Sequence, residues 1–262
     1  MIWDERTRLL LGESKAGRLS GSNVLVVGLG GVGAYSAELL CRAGIGKMTI
    51  VDGDVVEETN RNRQLPALHS NEGKPKTEVM ASRLLDINPE LQLTVIQEYL
   101  RDERTIELLE SQHFDYVADC IDTLSPKTFL IYHAVKKGYR VVSSMGSGGK
   151  LDPSLVRIAD ISESHDCKLA RMVRKRLHRL GITNGVTAVF SPEDVQASAI
   201  RLEEGLNKIS TVGTISYMPT VFGCFMASVI IRDLIADPGE KIPPQSCNFL
   251  SQMSEATEGP RS

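Results

Sequence analysis

Asn23-Val24-Leu25-Val26-Val27 runs without a break into Gly28-Leu29-Gly30-Gly31-Val32-Gly33. A continuous β-branched run of this kind suits a strand buried on both faces, where no alternation with polar residues is needed. A glycine-rich turn at the strand's C-terminal end lets backbone approach a phosphate. The following helix, patterned to about Ala43, supplies N–H donors and the positive end of its dipole. Lys47-Met48-Thr49-Ile50-Val51 then reads as a second strand ending at Asp52, which completes a βαβ unit of about 30 residues. The opening is that of a doubly wound α/β fold.

The alternation continues outward. Helices are expected over about 76–87, 103–111 and 126–137, and strands near 91–96, 116–118 and 141–143. Helix between strands throughout implies a mainly parallel sheet. After Gly146-Ser147-Gly148-Gly149 the rhythm breaks into an irregular mixed second half: a strand, a basic helix near 168–180, strands near 186–190 and 214–217, and a final apolar helix. Residues 1–237 read as one domain whose nucleotide-binding half covers about 20–145, and 238–262 as a loose tail rich in Pro, Ser and Gly.

The 262 residues carry 30 Lys+Arg against 33 Asp+Glu, a net charge of −3, so any nucleic-acid site must be a local patch rather than a global field. With 42% hydrophobic residues the chain can bury a large core, which excludes collagen-like and disordered classes. Cys41, Cys120, Cys167, Cys224 and Cys247 stand singly, so disulfides and a four-thiolate zinc site are not expected. The N-terminus has charge where a secretory signal needs its apolar region, and a cytoplasmic protein is expected. From Ile209 to Ile231 there are 23 residues without a formal charge. Length alone would permit a membrane helix of about 20 residues. The polar, β-branched first part and Pro219, which suits a helix start, instead split it into a strand and a buried core helix over about 220–231.

By itself the glycine turn is a weak signal. Asp52 lies 19 residues beyond Gly33, where an acidic side chain could accept hydrogen bonds from a ribose, and at this point NAD and ATP enzymes fit equally. The residues after it separate the two: Asp54, then Asn60-Arg61-Asn62-Arg63-Gln64, then Lys76. A triphosphate losing pyrophosphate wants fixed cations near the transferring phosphorus, and Arg63 and Lys76 can supply them, although either alone also suits a solvated face. Asp119-Cys120-Ile121-Asp122 closes the fourth strand at the edge where parallel sheets bind ligands. Asp122 is the candidate Mg²⁺ ligand, since that hard cation takes one or two carboxylates plus phosphate oxygens. The alternative is that it caps the next helix, a role that Ser125 before Pro126 could also fill. No GxxxxGK[ST] loop occurs.

Gly28-x-Gly30-Gly31-x-Gly33, Asp52-x-Asp54, Asn60-x-x-Arg63-Gln64, Lys76 and Cys120-x-Asp122 stand in the order seen in the ubiquitin-activating-like ThiF/MoeB/HesA superfamily, which the chain resembles. The resemblance implies a Rossmann-like adenylation domain, usually a homodimer, that uses Mg-ATP to convert a carboxylate into an acyl-adenylate. Carried over by position, Asp52 would hold the ribose, Asn60, Arg63, Gln64 and Lys76 the phosphates, and Asp122 the Mg²⁺. Arg6 matches, more loosely, an N-terminal arginine that reaches a nucleotide, often in the partner subunit. Two features depart from the sulfur-carrier-activating members: the paired CxxC zinc motifs are missing, and no late cysteine has a clear nucleophile context. Cys224 is expected in the core of the apolar helix and Cys167 exposed before the basic helix.

Among branches the chain is most similar to the tRNA threonylcarbamoyladenosine dehydratases, over roughly residues 6 to 236 and including Val189-Phe190-Ser191 and Gly213-Thr214-Ile215-Ser216-Tyr217-Met218-Pro219. That likeness implies ATP-driven ring closure of a modified adenosine beside a tRNA anticodon, and an association with a cysteine desulfurase system. Six of the twelve residues from Lys168 to Arg179 are basic: Lys168, Arg171, Arg174, Lys175, Arg176 and Arg179. A tRNA backbone would favour such a surface, and an ordinary solvated helix face is the alternative. Rival functions are adenylation of a small ubiquitin-like protein's C-terminal glycine, a nucleotide-binding scaffold without turnover and, least favoured, an NAD oxidoreductase.

Overall fold

A computed structural model describes residues 3–202 and 210–237. The expected tail, 238–262, including Cys247, lies outside the described residues. The chain opens with helices α1 (Glu5–Leu11) and α2 (Glu13–Gly21), followed by β1 (Asn23–Val27), α3 (Gly33–Arg42) and β2 (Lys47–Val51). Then come α4 (Lys76–Ile87), β3 (Gln92–Ile96), α5 (Asp102–Ser111), β4 (Tyr116–Asp119), α6 (Leu124–Lys136) and β5 (Arg140–Ser144). The second half holds β6 (Arg157–Asp160), α7 (Lys168–Arg179), β7 (Thr187–Phe190), β8 (Ile200–Leu202), β9 (Ser210–Val212) and α8 (Tyr217–Ile235).

Seven strands form one sheet in the order β3-β2-β1-β4-β5-β7-β6. All neighbours are parallel except the last pair, in which β6 runs antiparallel to β7 at the sheet edge. The mixed character expected of the second half is this reversal, together with the small β8–β9 hairpin. Every residue of β1 is buried because helices cover both sides. Val24 and Val26 pack with α2, α3, α4 and α8, whereas Leu25 and Val27 pack with α5, α6 and α7. Strand order reverses between β1 and β4, which opens a crevice at their C-terminal ends, the usual ligand position in such sheets.

The expected strand over 214–217 is not formed. The residues that pair lie earlier, at Ser210–Val212, of which Thr211 and Val212 are β-branched, and Gly213 ends the ladder by donating its N–H to the Ala199 carbonyl. Helix α8 begins at Tyr217, so Pro219 is its third residue, within the turn whose N–H groups need no intrahelical acceptor. Met218, Phe222, Met226 and Ile230 recur on its buried side, and the uncharged stretch is a helix packed on α2, α3, β5 and β7. Cys224 lies on the opposite, exposed side, which corrects its expected burial; composition apolar all round concealed a one-sided burial. Cys167 is corrected the other way. It is 7% exposed, because it precedes Ala170 by three residues and shares the buried stripe of Ala170, Val173 and Leu177. Ser125 is not a cap: α6 starts one residue ahead of it, at Leu124, and its hydroxyl accepts from Arg176 Nη1 at 2.8 Å.

Candidate nucleotide and phosphate site

The crevice between β1 and β4 is closed at its floor by backbone contact. Gly28 has φ +93°, and a Cβ there would stand 2.8 Å from the Cys120 carbonyl oxygen. A Cβ on Gly33 would run into the Gly28 carbonyl. Both glycines are therefore fixed by chain geometry. Gly30 differs: a Cβ there would meet nothing nearer than Gln64 Nε2 at 3.7 Å, so that space is open to a ligand.

Asp52, at the end of β2, pins this turn. Its Oδ2 accepts the Leu29 N–H at 2.6 Å and its Oδ1 the Asp54 N–H at 2.7 Å. Burial raises its pKa, against the pull of Lys76 and of these two N–H donors. Each carboxylate oxygen keeps acceptor capacity for a further hydroxyl. Lys76, the first residue of α4, is 3% exposed, and its Nζ lies 2.7 Å from Asp54 Oδ2. Tyr99, which the sequence did not single out, donates its hydroxyl to Asp54 Oδ1 at 2.5 Å.

Asn60, Arg63 and Gln64 sit in one turn beside the glycine loop. The Asn60 side chain, buried, accepts the Glu57 N–H in a capping box. Arg63 Nη1 donates to the Thr59 carbonyl and to Asn62 Oδ1, which holds its guanidinium close to this turn. Asn62 in turn donates to the Thr214 carbonyl at 2.9 Å, tying the turn to the approach of α8. Gln64 Oε1 is buried and has no hydrogen-bond partner among the described residues. A buried acceptor left unpaired costs about 1–3 kcal/mol, which a ligand donor at this place would recover.

Asp122 is exposed just beyond β4. Among the described residues no three His, Cys, Asp or Glu side chains gather as a metal-holding group. A single exposed carboxylate suits Mg²⁺ carried in on a nucleotide better than a resident ion. Cys120, between Asp119 and Asp122, has its thiol pKa pushed far up by partial burial and by Asp119. Beneath it lies a group the sequence reading missed. Lys127 of α6 and Asp119 of β4 are both 0% exposed and paired at 2.5 Å, and Ser143 of β5 donates to the same Asp119 oxygen at 2.6 Å. Asp119 Oδ1 accepts the Ile121 N–H, which shapes the turn bearing Asp122. A lysine in the first turn of α6, ahead of the apolar run Phe129-Leu130-Ile131, was the available signal.

Arg6 is exposed on α1, a helix that buries none of its residues, and no hydrogen bond or ion pair within the described residues joins it to this group. On α7, Lys168, Arg171, Lys175, Arg176 and Arg179 are exposed opposite the buried stripe. Arg174 is the exception among the six: its Nη1 donates to the Ser164 hydroxyl and to the Ile161 and Ser164 carbonyls, so it clamps the preceding turn. The Arg176–Ser125 bond joins the basic helix to the first turn of α6, directly after Asp122.

The sequence profile of the ThiF family matches residues 5–260. The chain is 37% identical to tRNA threonylcarbamoyladenosine dehydratase of Bacillus subtilis over 240 residues, 88% of this chain and 94% of that protein. It is also 37% identical to the Escherichia coli protein of the same name over 201 residues, 73% and 75% of the two chains. The crystal structure of Escherichia coli tRNA N6-threonylcarbamoyladenosine dehydratase in complex with ATP superposes with a TM-score of 0.80 at 32% identity, covering 88% of this chain and 93% of that one.

Proposed function

This chain belongs to the ThiF family, and on that premise we propose that it is an ATP-dependent tRNA threonylcarbamoyladenosine dehydratase. The observation that carries the reading is the extent of the likeness: it runs through the basic helix and α8 to 94% of the Bacillus subtilis dehydratase, not through the nucleotide half alone. ATP and Mg²⁺ are the cosubstrate and its ion, and the open space at Gly30 beside the orphaned Gln64 oxygen fits a nucleotide.

In this reading the substrate's threonyl carboxylate displaces pyrophosphate from the α-phosphorus. The carbamoyl group then closes on the activated carbonyl, losing a proton and releasing AMP. The sum is ring closure with loss of one water, split between AMP and pyrophosphate. High effective molarity makes the second step possible without an enzyme nucleophile, in keeping with the raised thiol pKa of Cys120. Asp52 receives the ribose hydroxyls, and Arg63 and Lys76 offset charge as pyrophosphate leaves. Asp122 would hold the Mg²⁺, which would polarise the phosphoryl oxygens. Gly28, Gly31 and Gly33 shape the turn, and Asn60 and Gln64 complete the phosphate wall.

The tRNA lies along the exposed cations of α7, which the Arg176–Ser125 bond couples to the nucleotide edge. A homodimer accounts for α1, where Leu9 and Leu10 are 86% and 83% exposed, and would give Arg6 a partner's nucleotide to reach. Four free cysteines among the described residues agree with a cytoplasmic enzyme. The sulfur-transfer association adds no step, because ring closure needs no thiol. Nucleoside mass spectrometry on threonylcarbamoylated tRNA tests the reading. Loss of one water only with Mg-ATP, alongside AMP and pyrophosphate, is expected. No mass change, with pyrophosphate exchange only on adding a ubiquitin-like carrier protein, would overturn it.

A further inference from the structure

We propose that Tyr99 and Asp54 are a positioning pair that aims the Lys76 ammonium, Asp54 serving as its anchor and not as a nucleotide ligand. The inference rests on the reading of Lys76 as a phosphate-facing cation. Lys76 is tied to Asp54 twice, through its backbone N–H to the Asp54 carbonyl at 3.1 Å and through Nζ to Oδ2 at 2.7 Å. A carboxylate held only by a mobile ammonium turns with it. Here the second oxygen is taken by the Tyr99 hydroxyl at 2.5 Å, so the plane of the carboxylate is set from the opposite side.

Tyr99 itself is 59% exposed and is placed by contact instead of burial. Its ring lies on Gly53, where any Cβ would come within 2.7 Å of it, and the Arg101 guanidinium stands 5.8 Å from the ring centroid. The hydrogen bond to Asp54 pushes the phenol pKa up to about 12, so the hydroxyl remains a donor at every working pH. The lock spans adjacent strand ends, since Tyr99 follows β3 and Asp54 follows β2. Lys76 is thereby held at a defined starting point for charge that appears only as pyrophosphate leaves, and such an effect belongs to the chemical step and not to ATP affinity.

Tyr99→Phe keeps the ring on Gly53 and removes one hydroxyl from an exposed residue, so the fold is retained. In the ATP-free protein, reductive methylation followed by peptide mass spectrometry reads the anchor directly. Lys76 should react several-fold faster in Y99F than in the wild type, with the exposed Lys136 unchanged. Calorimetric ATP affinity should stay within about twofold while kcat falls about tenfold, a fraction of what an ångström of misplacement costs. Equal methylation rates would overturn the proposal, as would a parallel loss of ATP affinity, which would make Tyr99 a nucleotide contact. A wild-type protein without ATP-dependent turnover would overturn the dehydratase reading, and the methylation comparison would still decide whether Tyr99 and Asp54 hold Lys76.

Discussion

Lys76 and Lys127 are both buried lysines paired with an aspartate, one on each flank of the same crevice. Lys127 is sealed: its partner Asp119 is 0% exposed, and Ser143 completes the group. Lys76 is buried at its own end only, since the side chain of Asp54 is 47% exposed and opens toward solvent. The difference separates a charge that holds elements together from a charge that is available. A fully enclosed ion pair gains little over an apolar one but is costly to break from one side. A pair with one wet member can exchange partners, which the phosphate-facing role proposed for Lys76 requires.

The sharpest way to break this contrast is to remove each lysine. Lys127→Met leaves Asp119 charged and enclosed, and urea unfolding should show a loss of about 3–5 kcal/mol. Adding Asp119→Leu to that variant should restore much of the stability, and if it does not, the group is more than an enclosed pair. Lys76→Ala should do the reverse. It should cut turnover by about 10²–10³-fold, the range for losing one fixed electrostatic donor, with little change in the urea midpoint. A large stability loss in that variant would erase the distinction between the two lysines.

Smaller effects sharpen it. Lys175→Glu with Arg176→Glu should raise KM for tRNA and flatten its salt dependence by about one to two counterions, with ATP affinity unchanged. Unaltered tRNA turnover would remove α7 as the binding surface. The smallest expected effect lies at Glu38, away from the crevice. Burial opposes its ionisation, but hydrogen bonds from Arg83 and Arg42 prevail and hold its pKa below the usual value. Because the folded pKa is the lower one, this stabilisation is present above pH 4.5 and lost as pH falls through the folded value. Arg83 and Arg42 are half exposed, so Glu38→Gln should cost under about 1 kcal/mol at pH 7 and progressively less as the pH is lowered below 4.5 in urea titrations.

Much of the crevice was legible in the chain because its signals are local. The buried run before Gly28 and the alternation of elements fixed the parallel sheet, and Asp52 and Asp122 stand just beyond the C-terminal ends of β2 and β4. What was misread was also local in origin. The strand expected at 214–217 and the burial of Cys224 and Cys167 all turn on which side of an apolar segment faces the protein, and composition does not carry direction. Arg174 was counted with its neighbours for the same reason, although it bonds inward to the turn at 161–164.

The sequence by itself determined the strand–glycine–helix opening, the order of the parallel elements and the residue types at the nucleotide edge. Those follow from steric and hydrophobic preferences acting over a few residues. Tertiary structure decided which charges meet: Tyr99 with Asp54 across 45 positions, Lys127 with Ser143 across 16, and Asn62 with Thr214 across 152. Such pairings depend on register and crossover between distant strands, and the energy of a buried charge is set by the neighbours that enclose it, which no local pattern specifies.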